Sequence, residues 1–162
     1  MKISMTKAFQ DYYPENLSHC YGCGANNQQG HQLKSYWHKT ANSTEQTIAR
    51  FTPKPYHTAV PKFVYGGLLA SLIDCHGTAS AAAISYKRAK RSMGSEPAFR
   101  FVTAALNINY LAPTPMGVEL TLIGSFSEVT DKKVIVNVEV LAQDKICVKG
   151  QVVAVKMPDT MA

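Results

Sequence analysis

The sequence has no uninterrupted apolar run of about 18 residues, the length that a helix needs to cross a bilayer. Residues 1–17 lack the apolar core segment of a secretory signal peptide. Internal repeats and low-complexity tracts are also missing, which argues against a repeat architecture and against disorder. We therefore expect a cytoplasmic, globular protein that has no membrane partner.

Cysteine is scarce, with four residues in 162. Such thiols are expected to be reduced in the cytoplasm. Cys20 and Cys23 could be half of a zinc site, but a tetrahedral site needs four ligands. Only His19 and His31 lie near the pair in the sequence, and the other two cysteines are distant, in a predicted helix and a predicted strand. We therefore predict no metal, and we interpret the pair as part of a tight glycine turn beside the functional site.

Charged residues make up only 17% of the chain, and its net charge of +6 is spread out rather than gathered in a block. This excess fits an anionic partner, such as a nucleotide-bearing molecule, and equally fits a role in solubility alone. The basic stretch 87–91, together with Lys132 and Lys133, could meet phosphate groups. Because aromatic residues are not interleaved with these cations, we expect no nucleic-acid partner.

The length of 162 residues and the hydrophobic share of 46% predict one domain with a substantial core. Residues 1–19 are interpreted as an N-terminal extension, with a short helix packed on the body, and the core spans about 20–157. Alternating apolar residues bounded by turn formers predict six strands, at 31–39, 43–51, 99–111, 118–129, 132–143 and 145–157.

One long, alanine-rich helix is predicted from Gly66 to about Tyr86, between the second and third strands. The basic segment 87–97 that follows it is expected to be a flexible connection. Two strands, a helix and four strands predict an α+β fold, in which an antiparallel sheet wraps around one central helix, the hotdog arrangement. The open edges of such a sheet favour a homo-oligomer.

Asp74 stands in the middle of this apolar helix, where a buried carboxylate is costly unless it has a partner or a task. One interpretation is a solvent-facing or salt-bridged residue, but positions 70, 71, 77 and 78 offer no cation. The other is a carboxylate in a cleft, acting as nucleophile or general base.

Gly66 and Gly67 begin the helix, where backbone N–H groups have no partner in the helix itself. These N–H groups, with the helix dipole, could polarise a carbonyl, and the same glycines could also serve a tight loop-to-helix turn. His57, in the preceding loop, is a weaker ligand-binding candidate. His76 is expected to face either the core or a subunit contact.

Three stretches resemble the motifs of one family. "HTAVPKFVYGGLLASLID", residues 57–74, resembles the helix-start motif H-x-x-x-P-x-x-V-H-G-G, followed by an Asp seven residues after the second glycine. "VTAALNINYLAPTPMG", residues 102–117, resembles the strand motif after the helix, and "CYGCGANNQQGHQL", residues 20–33, resembles a C-x-x-C-G-x-x-N-x-x-G-L opening. The chain thus resembles the hotdog acyl-CoA thioesterases of the PaaI-like branch over roughly residues 20–157.

The resemblance implies hydrolysis of an acyl-CoA thioester, without metal or cofactor, at an active site between the subunits of a dimer or a dimer of dimers. It implies that Asp74 is the catalytic carboxylate and that Gly66 provides the oxyanion-binding N–H. Thr103 would come from the other subunit and orient water or the carboxylate. Basic residues such as Lys132 and Lys133 would hold the CoA phosphates.

The chain departs from the family pattern at Tyr65, where a histidine usually precedes the two glycines. We count Tyr65, Gly67, His57 and Asn107 as substrate-binding candidates alongside the two lysines. Two alternatives stay open. A hydratase or dehydratase of acyl thioesters would usually need a His–acid pair, and no histidine stands at the helix start. A non-catalytic acyl-CoA binding or sensing protein is made plausible by Tyr65.

Overall fold

The computed structural model describes residues 7–42 and 44–161. It confirms the predicted fold class, one antiparallel sheet wrapped along a single long helix. The elements in chain order are strand β1 (Ser35–His38), β2 (Gln46–Phe51), helix α1 (Gly66–Arg88), β3 (Phe101–Tyr110), β4 (Leu120–Val129), β5 (Lys133–Ala142) and β6 (Lys145–Lys156). The parts of the predictions that concern residues 1–6 and Ser43 lie outside the described residues.

The strand order in the sheet is β1-β2-β4-β5-β6-β3, and every neighbouring pair is antiparallel. Strands β4 and β5 are central, and alternate residues of β5 are buried against α1. Strand β3, which follows the helix in sequence, lies at one edge, and its middle residues from Ala104 to Asn107 are exposed. The sheet therefore presents a long, free backbone edge at β3.

Strand β1 is shorter than the predicted 31–39 because the residues before it bond elsewhere. The amide of His31 donates to the carbonyl of Tyr21, and the amide of Leu33 donates to that of Gly22. These bonds tie the start of the predicted strand to the loop that contains Cys20 and Cys23. Further upstream, a short 3-10 helix, Phe9–Tyr12, packs on α1, as expected for that part of the extension.

Helix α1 extends to Arg88, where Lys87 and Arg88 both pair with Glu45. The connection after it is ordered rather than flexible, because Arg91 donates to the backbone carbonyls of Ser95 and Pro97. By length and composition α1 could span a membrane, but 72% of its most apolar window is buried inside the fold. It is the core helix around which the sheet closes.

A buried polar network joins α1 to the sheet at His76, which is completely buried. Its Nδ1 lies 2.8 Å from the hydroxyl of Ser35, and its Nε2 lies 3.1 Å from that of Thr47. Thr47 also contacts Ser80. Burial lowers the pKa of His76 from 6.5 to about 4. The structure thus places His76 in the core and not on the chain's surface.

Candidate active site

Asp74 is the one acidic residue of α1 and lies half-buried on its third turn, beside the start of β3. The hydroxyl of Thr103 donates a hydrogen bond to its Oδ1. Among the described residues, no lysine, arginine or histidine nitrogen reaches it at salt-bridge distance. The carboxylate is therefore oriented by a neutral donor, which leaves it available for chemistry.

A pocket of about 240 Å³ adjoins this carboxylate, and we call it the carboxylate pocket. Its volume is sufficient for several water molecules. It lies between α1, the start of β3 and the N-terminal loop, and it is lined by Tyr13, Cys20, Cys23, Asp74, Cys75, Thr78, Ala82, Arg100, Phe101, Val102 and Thr103. Water can thus approach Asp74 from this side.

The start of α1 presents two unpaired backbone donors. The amides of Leu68 and Leu69 bond to the carbonyl of Tyr65, whereas the N–H groups of Gly66 and Gly67 have no acceptor among the described residues. The Tyr65 side chain provides no cap, because its ring lies over Gly67 instead. These two N–H groups, at the positive end of the helix dipole, can bind an oxyanion.

A groove of about 650 Å³ lies in front of these glycines, and we call it the apolar groove. Three consecutive binding candidates, Tyr65, Gly66 and Gly67, all line it. The lining is largely apolar, and it consists of Ala59, Val60, Phe63, Val64, Tyr65, Gly66, Gly67, Leu69, Tyr110, Leu111, Ala112, Pro113 and Thr114. Such a groove suits a hydrocarbon or aromatic acyl group.

The carboxylate pocket and the apolar groove are separate in one chain. Gly66 and Asp74 are eight residues apart on the same helix, which corresponds to about 12 Å along its axis. One small polar group of a ligand cannot touch both. Thr103 contacts Asp74 of its own chain. That Thr103 of another subunit orients the carboxylate stays a prediction.

Four other candidates lie elsewhere. The ring of His57 packs against Phe51 and His31 rather than into the apolar groove, and its partial burial and then the charge of Lys54 lower its pKa. Asn107 lies on the sheet face away from α1, in a polar groove with Asn137.

Asn107 is on that face because a bulge between Thr103 and Ala105 reverses the alternation along β3. Leu106 and Ile108 therefore face the helix side. Lys132 and Lys133 lie in the β4–β5 hairpin, and Lys133 pairs with Glu128. The structure brings neither Asn107 nor these lysines next to Asp74 or the apolar groove.

The structure corrects the expectation that Cys75 is far from the Cys20–Cys23 pair. The loop folds back onto α1, and the three Sγ atoms lie within 4.8 Å of one another. Hydrogen bonds from Cys23 and Cys75, then from the amides of Cys23 and Gly22, hold the pKa of the Cys20 thiol far below its usual range. The bond to Cys20 raises the pKa of Cys23 to about 12 and that of Cys75 well above 9.0.

The comparisons with known proteins agree on one family. The model of the thioesterase superfamily matches residues 62–149. A thioesterase superfamily protein from Shewanella loihica is 51% identical, with 90% of this chain and 100% of that chain covered and a TM-score of 0.66. No curated protein matches the chain.

Two more distant structures share the fold. The Escherichia coli PaaI protein, from the phenylacetic acid degradation operon, is 16% identical over 70% of this chain and 73% of that chain, with a TM-score of 0.57. A Streptococcus mutans protein, bound to acetyl-CoA in its structure, is 20% identical over 70% and 82%, with the same TM-score. The wrapped sheet and central helix are therefore those of the hotdog fold.

Proposed function

The chain belongs to the thioesterase superfamily, and from that premise we propose that it hydrolyses an acyl-CoA thioester to a free acid and coenzyme A. The observation that carries this proposal is the Asp74 carboxylate, held by Thr103 beside a pocket that admits water. A hydrolase of this kind needs an oxygen nucleophile or a base that activates water, and Asp74 can be either.

The acyl end of the substrate fits the start of α1. With the acyl group in the apolar groove, the thioester carbonyl lies near the free N–H groups of Gly66 and Gly67. These donors stabilise the negative charge that develops on the carbonyl oxygen during attack. A distant relative in fold, the Streptococcus mutans protein, binds acetyl-CoA, which supports a ligand of the same class.

A complete site requires two copies of the chain. Strand β3 has a free edge, with Thr103 near its start and Tyr110 at its end. Antiparallel pairing of two β3 edges about a two-fold axis near Leu106 and Asn107 sets Thr103 opposite Tyr110 of a second copy. Because Thr103 holds Asp74 and Tyr110 contacts Gly66, this pairing brings the carboxylate of one chain to the helix start of the other.

The chemistry then balances in either of two ways. Asp74 attacks the carbonyl carbon, the C–S bond breaks, the CoA thiolate takes a proton from solvent, and water hydrolyses the acyl anhydride. Alternatively, Asp74 removes a proton from water, the hydroxide attacks the carbonyl, and the proton passes to the leaving thiolate. Single-turnover hydrolysis in heavy-oxygen water tests for the covalent route. Only attack of water on the Asp74 side of the acyl anhydride places heavy oxygen in Asp74 and releases an acid that contains none.

The test is release of free thiol from a panel of aliphatic and aromatic acyl-CoAs. We expect turnover of at least one class, with Asp74→Asn reducing kcat by about a thousandfold or more while leaving the fold and acyl-CoA binding intact. Asp144→Asn, in the exposed β5–β6 turn, is the matched control and should keep full activity. Undiminished turnover by Asp74→Asn would refute the assignment.

A second candidate is a non-catalytic acyl-CoA binding or sensing protein. The observation that favours it is the Tyr65 ring, which lies over Gly67 at the start of α1. Saturable binding of acyl-CoA with no thiol release from any member of the panel would support it. Formation of a hydrated acyl thioester with its C–S bond intact would instead indicate a hydratase.

A further inference from the structure

Three thiols from distant parts of the chain meet beside Asp74. We propose that Cys20, Cys23 and Cys75 bind a zinc ion that fastens the N-terminal loop to helix α1. Cys20 and Cys23 come from the loop, and Cys75 comes from the helix. This site goes beyond the proposed hydrolysis, which does not use the metal.

The spacing of the sulfur atoms fits a zinc thiolate. Sγ of Cys20 lies 3.8 Å from Sγ of Cys75, and all three Sγ atoms lie within 4.8 Å of one another. With Zn–S bonds of about 2.3 Å, tetrahedral geometry sets two sulfurs about 3.8 Å apart. A disulfide requires about 2.05 Å, so oxidation would need the loop to move.

The loop has a glycine, Gly22, at the point where it approaches Cys75 of helix α1. A Cβ atom at Gly22 would lie 2.3 Å from Sγ of Cys75, so only glycine lets the loop reach the helix there. The amide of Gly24 donates to the carbonyl of Cys20, which closes the turn between the two loop cysteines. The C-x-x-C spacing of the pair is itself typical of structural zinc sites.

The charges around the thiols suit a metal–thiolate complex. Zn²⁺ displaces the protons of the three thiols to solvent, which leaves a complex of net charge −1. Arg100 lines the same pocket, and its Nε is buried without a partner among the described residues. Its guanidinium balances the charge of the complex.

The carboxylate pocket leaves room for a fourth ligand, which we assign to water. Cys20 is exposed, so a metal ion has a route to the site. Thiolate ligands select zinc over magnesium or calcium, which prefer oxygen. The ion would fix residues 20–33 against the helix turn that carries Asp74.

The experiment measures metal in the full chain, purified without a histidine tag from zinc-containing medium. We expect about one zinc per chain in the wild-type protein and in Cys147→Ser, whose buried thiol lies outside the cluster. Cys75→Ser should lose at least nine-tenths of the metal. Because Cys20 is exposed, Cys20→Ser should still fold, and its zinc affinity should be at least tenfold weaker.

Cobalt replacement gives a second measurement, because three thiolates produce an intense charge-transfer absorption that Cys20→Ser should weaken. Three results would overturn the proposal: wild-type protein with reduced thiols and no zinc, a zinc affinity of folded Cys20→Ser equal to that of the wild type, or a disulfide between two of the three cysteines in freshly purified protein. Loss of zinc without loss of thioesterase turnover would leave the proposed hydrolysis unaffected.

Discussion

The phenol of Tyr110 donates a 2.7 Å hydrogen bond to the carbonyl oxygen of Gly66. This bond joins the last residue of the edge strand β3 to the first residue of helix α1. Whatever pairs with β3 therefore also lies close to the start of the helix. The edge strand and the proposed oxyanion site are in this way parts of one structural unit.

Removal of that bond should weaken catalysis more than stability. Tyr110 is half-exposed, so Tyr110→Phe should cost at most about 1 kcal/mol of unfolding free energy. It should lower kcat by several-fold, because the start of α1, with the N–H groups of Gly66 and Gly67, loses the hydrogen bond that fixes its position. Thermal unfolding and steady-state kinetics measure the two effects, with exposed Tyr56→Phe as the control. An equal loss in both variants would contradict the role assigned to Tyr110.

The hydroxyl of Thr103 should matter through the carboxylate that it orients. Thr103→Val keeps the shape of the side chain and removes the donor, so kcat should fall about ten- to a hundredfold, as expected for a hydrogen bond to a charged group. Thr103→Ser keeps the hydroxyl and should retain most of the activity. Equal activity of the two variants would show that the bond has no catalytic role.

The fold could be predicted because its signals are local: period-two alternation in the strands and an alanine-rich helix between them. The bulge between Thr103 and Ala105, which puts Asn107 on the opposite face from Thr103, could not be predicted, because the sequence does not mark it. The cluster with Cys75 was missed for a different reason. It forms through the packing of a loop on a helix more than 50 positions away, and no local pattern encodes that contact.

The motif around the glycines was recognised by its resemblance to a family motif, but its roles were assigned without considering how far Gly66 and Asp74 lie apart along the helix. Helical rise settles that point once the helix is known to be continuous from Gly66 to Arg88. The expectation that Thr103 acts from a second subunit stays a prediction, whereas its contact with Asp74 within one chain is observed. In the proposed pairing of two β3 edges, the helix start of the other chain has the intersubunit role.

A variant that lacks the Gly66 N–H should be inactive. Gly66→Pro removes this donor, and proline is tolerated at the first position of a helix. Tyr65 already has the extended backbone that a following proline requires. We expect kcat to fall a hundredfold or more. Gly66→Ala keeps the N–H, and its Cβ meets only the Tyr110 ring, at 3.2 to 3.3 Å, so this control should lose far less.

Mixing two inactive variants tests whether the site is shared. In a mixed dimer of Gly66→Pro and Asp74→Asn, one of the two sites has both an intact Gly66 and an intact Asp74, from different chains. Activity should therefore return on co-refolding, to about a quarter of the wild-type level for random pairing. No recovery, with mixed dimers verified by mass spectrometry, would place the whole site in one chain.

The buried His76 should make stability depend on pH. The pKa of His76 is about 4 in the folded protein and 6.5 in the unfolded chain. Between pH 4 and pH 6.5, the unfolded chain therefore binds a proton at His76 and the folded protein does not. Stability is full above pH 6.5 and is lost as the pH falls toward 4. From pH 7.5 to pH 5, the free energy of unfolding should fall by about 2 kcal/mol from this residue.

Urea unfolding at a series of pH values measures this slope. Within the described part of the chain, the His76 ring nitrogens contact only the neutral hydroxyls of Ser35 and Thr47, so we expect the effect of burial to dominate. His76→Gln should flatten the slope between pH 7.5 and pH 5, although its overall stability will be lower. His57→Gln is the control, because His57 is only partly buried and should contribute much less. A histidine that burial keeps neutral must take up a proton when the core unfolds at low pH. If His76→Gln had the same dependence of unfolding free energy on pH as the wild type, the proton uptake would belong to other groups.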